Sequence, residues 1–414
     1  MRAVKFGGSS VADAPRLRAA GAILARSRAG GPVTAVVSAM AGVTDGLLRV
    51  ADGATRGAED WPAVLRALGE RHSATYQALI GAVPALFERQ WAEAEREAEA
   101  LARIGPSLDA PARALASARF SGWGERLAVG LLAAATEAEG APSFALDDAP
   151  VLLSGRERPG VAPEPSALAT RAWLLPRLAM PVMRGAVPIV PGYIARDAEG
   201  RLTTLGRNGS DHSAAVIAAA LGVSHLTIYS DVAGVYTADP RTLPDARLLP
   251  ALAYDEAARI ASLGARALHP RAVEPLAGGA IPLELRAAHA PDALGTDIGP
   301  GARLSRQYTR AAMWVVVSRP AAVPREVDVT ALRLPAWPLC EDTCDCAATV
   351  VLDIEHIEHI ERFALIPLAV ARDEIRLRVA EPQAREAIRA LHNLLAGCAS
   401  RHAEEVDARL VAGA

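Results

Sequence analysis

The sequence predicts an α/β protein built on a largely parallel sheet with helices on both faces. Short apolar segments read as buried strands, among them RAVKF (2–6), PVTAVVS (32–38) and VPIV (187–190), and helical segments separate them. This alternation is typical of parallel sheets, because each crossover between parallel strands needs a connection of about helix length. A chain of 414 residues is long enough for two or three domains.

The composition narrows the class of protein further. Hydrophobic residues make up 51% and charged residues 22%, the balance of a packed globular protein. A net charge of −3 and 4% aromatic residues provide neither a basic surface nor stacking platforms, so no nucleic-acid partner is expected. No secretory signal and no membrane-spanning apolar run are recognisable. We therefore expect a cytoplasmic protein without a membrane partner.

One lysine, Lys5, stands among 44 basic Lys and Arg residues. A bias this strong should have replaced any lysine that serves only as a positive charge. We expect Lys5 to act as a compact ammonium with three donors in a tight site, a role that a planar guanidinium cannot take. Chance survival is the alternative.

The first strand, 2–6, leads into Gly7-Gly8-Ser9-Ser10 and a helix predicted from about Val11. A Gly-rich turn between a strand and a helix presents backbone N–H groups to a phosphate. The turn matches neither GxxxxGK nor GxGxxG. The lysine two residues before the glycines makes a phosphate site the preferred interpretation.

Two further segments place polar groups near strand ends. Ser38 ends the second strand and Thr44 opens the next helix, where α/β sheets bind ligands; ordinary helix capping is the alternative. Residues 47–119 read as helices with solvated charges. The segment SGWGERL (121–127) then sets Glu125 beside two glycines, where it would either cap a helix or bind an ammonium group.

The stretch TTLGRNGSDHSAAVIAAALG (203–222) organises the chain. It reads as a loop with Gly206 and Gly209, then a helix with Ser210 or Asp211 as N-cap that stops at Gly222. A Gly-containing loop before a helix start favours an anion, and Arg207 adds donors suited to a carboxylate or phosphate. The alternative is that this loop is only a tight turn that leads into the helix, without a bound anion. A strand at 226–229, a polar loop at 230–241 and a last sheet strand at 281–285 follow.

Together these stretches resemble the aspartate kinases of the amino acid kinase superfamily. The matching segments occur in the family's order: KFGGSSVAD (5–13), VVSAMAGVTDGLL (36–48), GERLA (124–128), VPIVPGYIA (187–195), TTLGRNGSDHSAA (203–215), SDVAGVYTADPR (230–241), GARALHPRAV (264–273) and GTDI (295–298). The resemblance implies an amino acid kinase-like three-layer α-β-α sandwich over residues 1–306. Within it, an aspartate-binding N-lobe would precede a nucleotide-binding C-lobe from about residue 190.

The resemblance also implies a role for each matching residue. The catalytic group would comprise Lys5 at the transferring phosphoryl group, the backbone donors of Gly7 and Gly8, and Asp211 holding Lys5 near the metal-bound nucleotide. Arg207 would bind the α-carboxylate of aspartate and Glu125 its α-ammonium. The other expected substrate contacts are Ser9, Ser38, Thr44, Gly209 and Ser210, and the expected ATP contacts are Ser230, Asp231, Tyr236, Arg241 and Arg266. Arg266 stands where the family usually has a lysine.

The activity that the resemblance implies is ATP:L-aspartate 4-phosphotransferase, with ATP and Mg²⁺ as cofactors, in a homodimer or higher homo-oligomer. It would be the first step of lysine, threonine and methionine biosynthesis. A β-carboxylate with a pKa near 3.9 is already ionised, so the reaction needs positioning and charge neutralisation and no general base. A kinase for another amino-acid carboxylate in a specialised pathway is the alternative. A non-catalytic regulatory subunit is a third reading, disfavoured by the intact Lys5 turn and Asp211.

Residues 307–414 are expected to form a small α+β domain, short for the family's usual two ACT regulatory modules. Strands are predicted at 348–354 and 374–380 and helices at 355–363 and 382–395. The expected ligand loop is missing, so we predict weak or absent inhibition by lysine and threonine. Cys340, Cys344 and Cys346 with His356 and His359 are an alternative Zn²⁺ site of non-standard spacing; a helix face explains the histidines better, and no metal ligand is assigned.

Overall fold

The computed structural model describes residues 1–58, 60–155, 164–206, 209–236, 240–241, 244, 246–262 and 267–300, and four later strands as backbone. The chain divides into two compact units. The first comprises Met1–Ala233 and Ala267–Pro300, and the second comprises Gly234–Arg266 and Gly301–Ala414.

Strands and helices alternate along the described chain. The strands are β1 (Arg2–Phe6), β2 (Val33–Val37), β3 (Ser143–Ala145), β4 (Val151–Leu152), β5 (Val187–Pro191), β6 (Ile194–Arg196), β7 (Leu202–Thr204), β8 (Leu226–Ser230), β9 (Ala251–Leu252), β10 (Leu283–Ala287), β11 (Thr296–Ile298), β12 (Trp314–Val316), β13 (Ala347–Leu352), β14 (Ile366–Ala371) and β15 (Glu374–Ala380). The helices are α1 (Ala14–Ala29), α2 (Val43–Arg56), α3 (Trp61–Ile80), α4 (Ala85–Ile104), α5 (Ala110–Ser121), α6 (Trp123–Ala138), α7 (Ala167–Met183), α8 (Gly209–Leu221), α9 (Tyr254–Ser262) and α10 (Val273–Gly278).

The main sheet of the first unit runs in the order β3-β5-β2-β1-β8-β10-β11. Strand β1 lies at its centre and pairs in parallel with β2 and β8, so that Lys5 stands opposite Val36 and Ile228. Strand β10 also runs parallel to β8, whereas β11 returns antiparallel to β10. The predicted mostly parallel sheet is confirmed. The prediction that 281–285 is the last strand is wrong, because 288–295 turn the chain back to add β11.

Helices cover both faces of this sheet because side chains alternate along each strand. Val4 and Phe6 point from β1 into a core shared with Leu17 and Leu24 of α1 and with apolar residues of α6. Lys5 points to the opposite face, where Asp211 of α8 meets it. The sheet and the helices on its two faces form the predicted three-layer sandwich. The carboxyl end of β1, with Lys5, lies between the sheet and α8.

The ends of two helices differ from prediction. A 3-10 turn, Gly8–Val11, follows β1, and α1 begins only at Ala14, where Asp13 accepts a hydrogen bond from the Arg16 N–H at 3.0 Å. Helix α8 begins at Gly209, so Ser210 and Asp211 lie in its first turn and neither is the N-cap. Gly222 follows α8 with φ +61°, as predicted for a helix C-terminus.

The second unit contains a separate antiparallel sheet in the order β12-β13-β15-β14. Strands β13 and β15 match the segments predicted at 348–354 and 374–380. The predicted helices at 355–363 and 382–395, the Cys340–Cys346 and His356–His359 cluster, and the boundary at 306 lie outside the described residues. The ACT-like domain therefore stays a prediction. None of the described helices is both long and apolar enough to cross a membrane.

Candidate active site

Lys5 is the buried cation at the centre of the site. Its residue is 7% exposed, and its Nζ lies 2.6 Å from Asp211 Oδ1. The approach is an ion pair by distance, although its angles are not those of an aligned hydrogen bond. A buried charge is stable only with a partner, and Asp211 provides one from the first turn of α8. The structure therefore brings together the two residues that the sequence placed at the catalytic centre.

The Gly-rich turn after β1 wraps around this ammonium. A Cβ on Gly7 would lie 3.5 Å from Lys5 Nζ, so the backbone passes close to the cation. The Gly7 N–H donates to the Tyr229 carbonyl at 3.0 Å and the Ser10 N–H donates to the Gly7 carbonyl at 2.9 Å. The expectation that Gly7 offers its N–H to a phosphate is therefore not met. The N–H groups of Gly8 and Ser9, which open the short 3-10 turn, remain as the donors, since helix starts leave such groups without internal partners.

The loop after β2 lies against this turn. Ala41 N–H donates to the Gly8 carbonyl at 3.1 Å, and a Cβ on Gly8 would lie 2.7 Å from the Ala39 carbonyl oxygen. Ser38 begins this loop, with its N–H donating to the Phe6 carbonyl at 3.1 Å. Thr44 lies in the first turn of α2, behind Gly42 in the left-handed conformation. The close approach between Gly8 and the Ala39 carbonyl requires glycine at position 8, because any side chain there would push the two loops apart.

Glu125 lies in the first turn of α6 and is almost completely buried, at 3% exposure. Burial raises the pKa of its carboxyl to about 8. Hydrogen bonds from the backbone N–H groups of Ala39 and of Glu125 itself, the positive charge of Lys5 and a hydrogen bond from the Ser210 hydroxyl all oppose this shift. Its Oε2 has no hydrogen-bond partner. A buried carboxyl with a raised pKa and one oxygen without a partner gains most from a cation placed beside that oxygen. Because this carboxyl also accepts a hydrogen bond from its own N–H in the first turn of α6, the ammonium-binding and the helix-cap interpretations of Glu125 both stay predictions.

Close backbone contacts fix the start of α8 over these groups. A Cβ on Gly192, directly after β5, would lie 2.7 Å from Ser210 Cβ, and one on Gly209 would lie 3.3 Å from Tyr193 Cδ2. Tyr193 has φ +61°, unusual for a bulky residue, and its hydroxyl lies 2.9 Å from Ser121 Oγ. Ser210 thereby reaches the Glu125 carboxyl, and the substrate contacts of Gly209 and Ser210 stay predictions.

The predicted nucleotide residues divide between the two units. Ser230 ends β8, and its hydroxyl exchanges hydrogen bonds with the Val232 backbone at 2.9 and 3.2 Å; Asp231 is exposed beside it. Both therefore lie at the carboxyl end of β8, a strand next to β1. Tyr236 and Arg241 belong to the second unit, where Tyr236 bridges to Leu248. Arg207 and Arg266 lie outside the described residues, so their roles stay predictions.

Sequence reasoning missed several contributors that the structure places in the site. The Ala39 backbone faces Glu125, and Gly124 lets α6 approach, because a Cβ there would lie 2.7 Å from Ala39 Cβ. Tyr193 and Gly192 hold the start of α8. The two glycines flanking Trp123 were the visible signal of this approach. Backbone contacts such as that of Ala39 leave no residue-type signal at all.

Comparison with known proteins identifies the family. Residues 1–286 match the family model described as the amino acid kinase family. The chain belongs to the amino acid kinase family. Within the family, a bifunctional aspartokinase/homoserine dehydrogenase of Haemophilus influenzae is 32% identical over 307 residues, which are 72% of this chain and 36% of that protein. Bifunctional aspartokinase/homoserine dehydrogenase 2 of Escherichia coli is 39% identical over 210 residues, 49% of this chain and 25% of that protein.

Shorter matches and solved structures agree with this assignment. An aspartokinase of Thermus thermophilus is 51% identical over 90 residues, 22% of each chain. E. coli aspartokinase III, solved with aspartate and ADP, superposes with a TM-score of 0.73 at 22% identity over 95% of this chain and 99% of that one. Aspartate kinase of Clostridium acetobutylicum gives a TM-score of 0.67 at 16% identity over the same shares. The chain spans about a third or less of the bifunctional relatives, and the structural likeness establishes the amino acid kinase fold.

Proposed function

We propose that this chain is an aspartate kinase, which transfers the γ-phosphoryl group of ATP to the β-carboxylate of L-aspartate and gives 4-phospho-L-aspartate. The observation that carries the proposal is the buried Lys5–Asp211 ion pair beside a Gly-rich turn, with the buried carboxyl of Glu125, whose Oε2 has no hydrogen-bond partner, close by. Relatives named aspartokinase support the choice of substrate. Lysine, threonine and methionine biosynthesis is the pathway that would use the product.

The reaction joins two anions, so the site must neutralise charge and align the reacting oxygens. Lys5 would contact the transferring phosphoryl group, and the Gly8 and Ser9 N–H groups would be additional donors. Asp211 keeps the ammonium fixed, which preserves its position when substrate arrives. Since the attacking carboxylate is already ionised at neutral pH, no side chain has to remove a proton from it.

Recognition of an α-amino acid follows from Glu125. A substrate ammonium would give Oε2 a partner and stabilise the ionised carboxylate, so the free amino group becomes part of the binding energy. An N-acetylated amino acid has no ammonium and would leave Glu125 Oε2 buried and without a partner. Arg207 remains our candidate for the α-carboxylate, and Ser38 and Thr44 for orienting the substrate.

The family also implies Mg²⁺ with the nucleotide. Magnesium in such sites is held by one or two carboxylates and the substrate phosphates, and among the described residues no group of three or more His, Cys, Asp or Glu could hold a metal alone. Asp211, whose side chain is 16% exposed, fits the part of the single carboxylate. When bound, Mg²⁺ would offset negative charge on the phosphates. ATP, Mg²⁺ and a homodimeric state all remain proposals.

An ATP-dependent hydroxamate assay with aspartate, glutamate and N-acetylglutamate side by side tests the proposal. We expect turnover with aspartate and almost none with N-acetylglutamate. Lys5→Ala should abolish turnover in a folded protein. Arg2→Ala, which removes a cation from the other end of the same strand, is the matched control and should retain activity. Preferred phosphorylation of N-acetylglutamate would show a kinase for another carboxylate, and full activity of Lys5→Ala would refute the site.

A further inference from the structure

The two loops that surround Lys5 are joined from outside the site by one side chain, that of Arg71. Arg71 lies on α3, and its guanidinium donates from Nη1 to the Ala41 carbonyl and from Nη2 to the Ala12 carbonyl, each at 2.8 Å. Ala12 ends the 3-10 turn that carries Gly8 and Ser9, and Ala41 belongs to the loop after β2. One planar group therefore spans both loops.

The acceptors explain why this position needs a guanidinium. Both are backbone carbonyls on different segments, and a planar fork with several donors can serve two such acceptors at fixed separation, whereas a single ammonium is a point charge. Among the described ion pairs Arg71 has no carboxylate partner. Its hydrogen bonds thus go to the two loops.

Helix α3, which carries Arg71, is held by aromatic packing. His72, the next residue, is fully buried, and its Nδ1 lies 2.7 Å from the Leu68 carbonyl. The imidazole ring stacks with Phe87, and Phe87 in turn stacks with Trp91 and contacts Tyr76. This aromatic cluster packs α3, the helix that carries Arg71, against α4.

We infer that Arg71 is a positioning residue for the phosphoryl transfer proposed above, on which this inference rests. Ala41 also donates to Gly8, and Ala39, two residues earlier, donates to the Glu125 carboxyl. A shift of the second loop therefore displaces the contact to Glu125 and the spacing to the Gly8–Ser9 donors together. Arg71 acts through these loops and does not touch the reacting atoms.

The chain offers a matched control, Arg18 on α1. Its Nη2 donates to the Ala78 carbonyl at 2.6 Å and to the Leu79 carbonyl at 3.4 Å. Like Arg71, Arg18 therefore binds two backbone carbonyls through its guanidinium. Those carbonyls lie at the end of α3, away from both loops. Arg18→Ala removes a similar link without touching the loop positions.

The experiment compares Arg71→Ala, Arg71→Lys and Arg18→Ala with the unaltered chain. The first measurement is hydrogen–deuterium exchange of the unliganded protein over peptides covering residues 8–13 and 38–44. We expect faster exchange in both peptides for Arg71→Ala, an intermediate effect for Arg71→Lys, and no change there for Arg18→Ala. Unchanged exchange in Arg71→Ala would overturn the inference whatever the substrate is.

The second measurement is kcat and KM for aspartate and for ATP, together with the melting temperature. Arg71→Ala should lower kcat/KM for aspartate about tenfold or more, since small misplacements of reacting groups cost rate steeply. Added guanidinium ion should restore part of that loss, and Arg18→Ala should stay within about twofold at a similar melting temperature. Equal kinetic losses in both alanine variants would overturn the positioning role. Absence of aspartate turnover in the unaltered chain would instead refute the proposed function and leave the exchange result to decide on Arg71.

Discussion

Binding of an amino-acid substrate should release a proton from Glu125, and the structure sets the size of the effect. With a carboxyl pKa of about 8, roughly nine-tenths of the molecules hold this proton at pH 7 before substrate arrives. An ammonium beside Oε2 favours the ionised form and returns the pKa toward its ordinary range. About 0.9 proton per bound aspartate should therefore leave the site at pH 7, about 0.5 at pH 8, and about 0.1 at pH 9.

Calorimetric titration with aspartate in two buffers of different ionisation enthalpy measures this number directly. Glu125→Gln removes the titrating group, and we expect its proton release to fall to nearly zero with weaker aspartate binding. Glu97→Gln is the matched control. Glu97 lies on α4 outside the site, and it accepts a hydrogen bond at 2.7 Å from the indole of Trp123, which lies on α6 with Glu125. Binding without proton release in the unaltered chain, or equal release in Glu125→Gln, would refute the reasoning.

Three other perturbations test the site and its support. Lys5→Arg should lower kcat by about a hundredfold or more with little loss of stability, because a guanidinium cannot take the ammonium's place between Asp211 and the turn; near-normal turnover in a steady-state assay would contradict this. Gly8→Ala should raise KM and lower the melting temperature, since its Cβ would lie 2.7 Å from the Ala39 carbonyl oxygen and the backbone of the two loops would have to move apart; unaltered kinetics and melting temperature would show that the loops adjust freely. Burial lowers the pKa of His72 to about 4, so the unfolded chain binds more protons between about pH 6.5 and 4 and stability falls as pH drops through that window, by up to about 3 kcal/mol. Urea unfolding at pH 7 and 5 should show a smaller loss for His72→Phe, and an identical loss would exclude His72 as the cause.

Much of the fold could be predicted because local patterns and the sheet agree. Strand β1 and the helix end at Gly222 follow from apolar runs and from glycine's access to positive φ. The antiparallel strand β11 was missed since three residues, Thr296–Ile298, carry too little periodicity to distinguish a strand from a loop. Its existence depends on pairing with β10, which is a tertiary effect.

The site was predictable to a different extent at each residue. The rarity of lysine singled out Lys5 and the helix start drew attention to Asp211, but only the resemblance to aspartate kinases predicted their contact. The state of Glu125 could not, because its raised pKa depends on burial by α6, α8 and the Ala39 loop together. Arg71 has no motif of its own among many arginines. Only its two carbonyl acceptors, far apart in sequence, distinguish it.

The solitary lysine gives this protein a built-in reporter. Apart from the N-terminal amine, the chain carries a single primary amine, and that amine sits against Asp211. Growth with carbon-13 lysine would yield one lysine side-chain signal set free of overlap, read without mutation and with all three ammonium donors intact. Its chemical shift would follow the arrival of nucleotide and amino acid in real time. In most proteins of this size dozens of surface amines would hide such a signal.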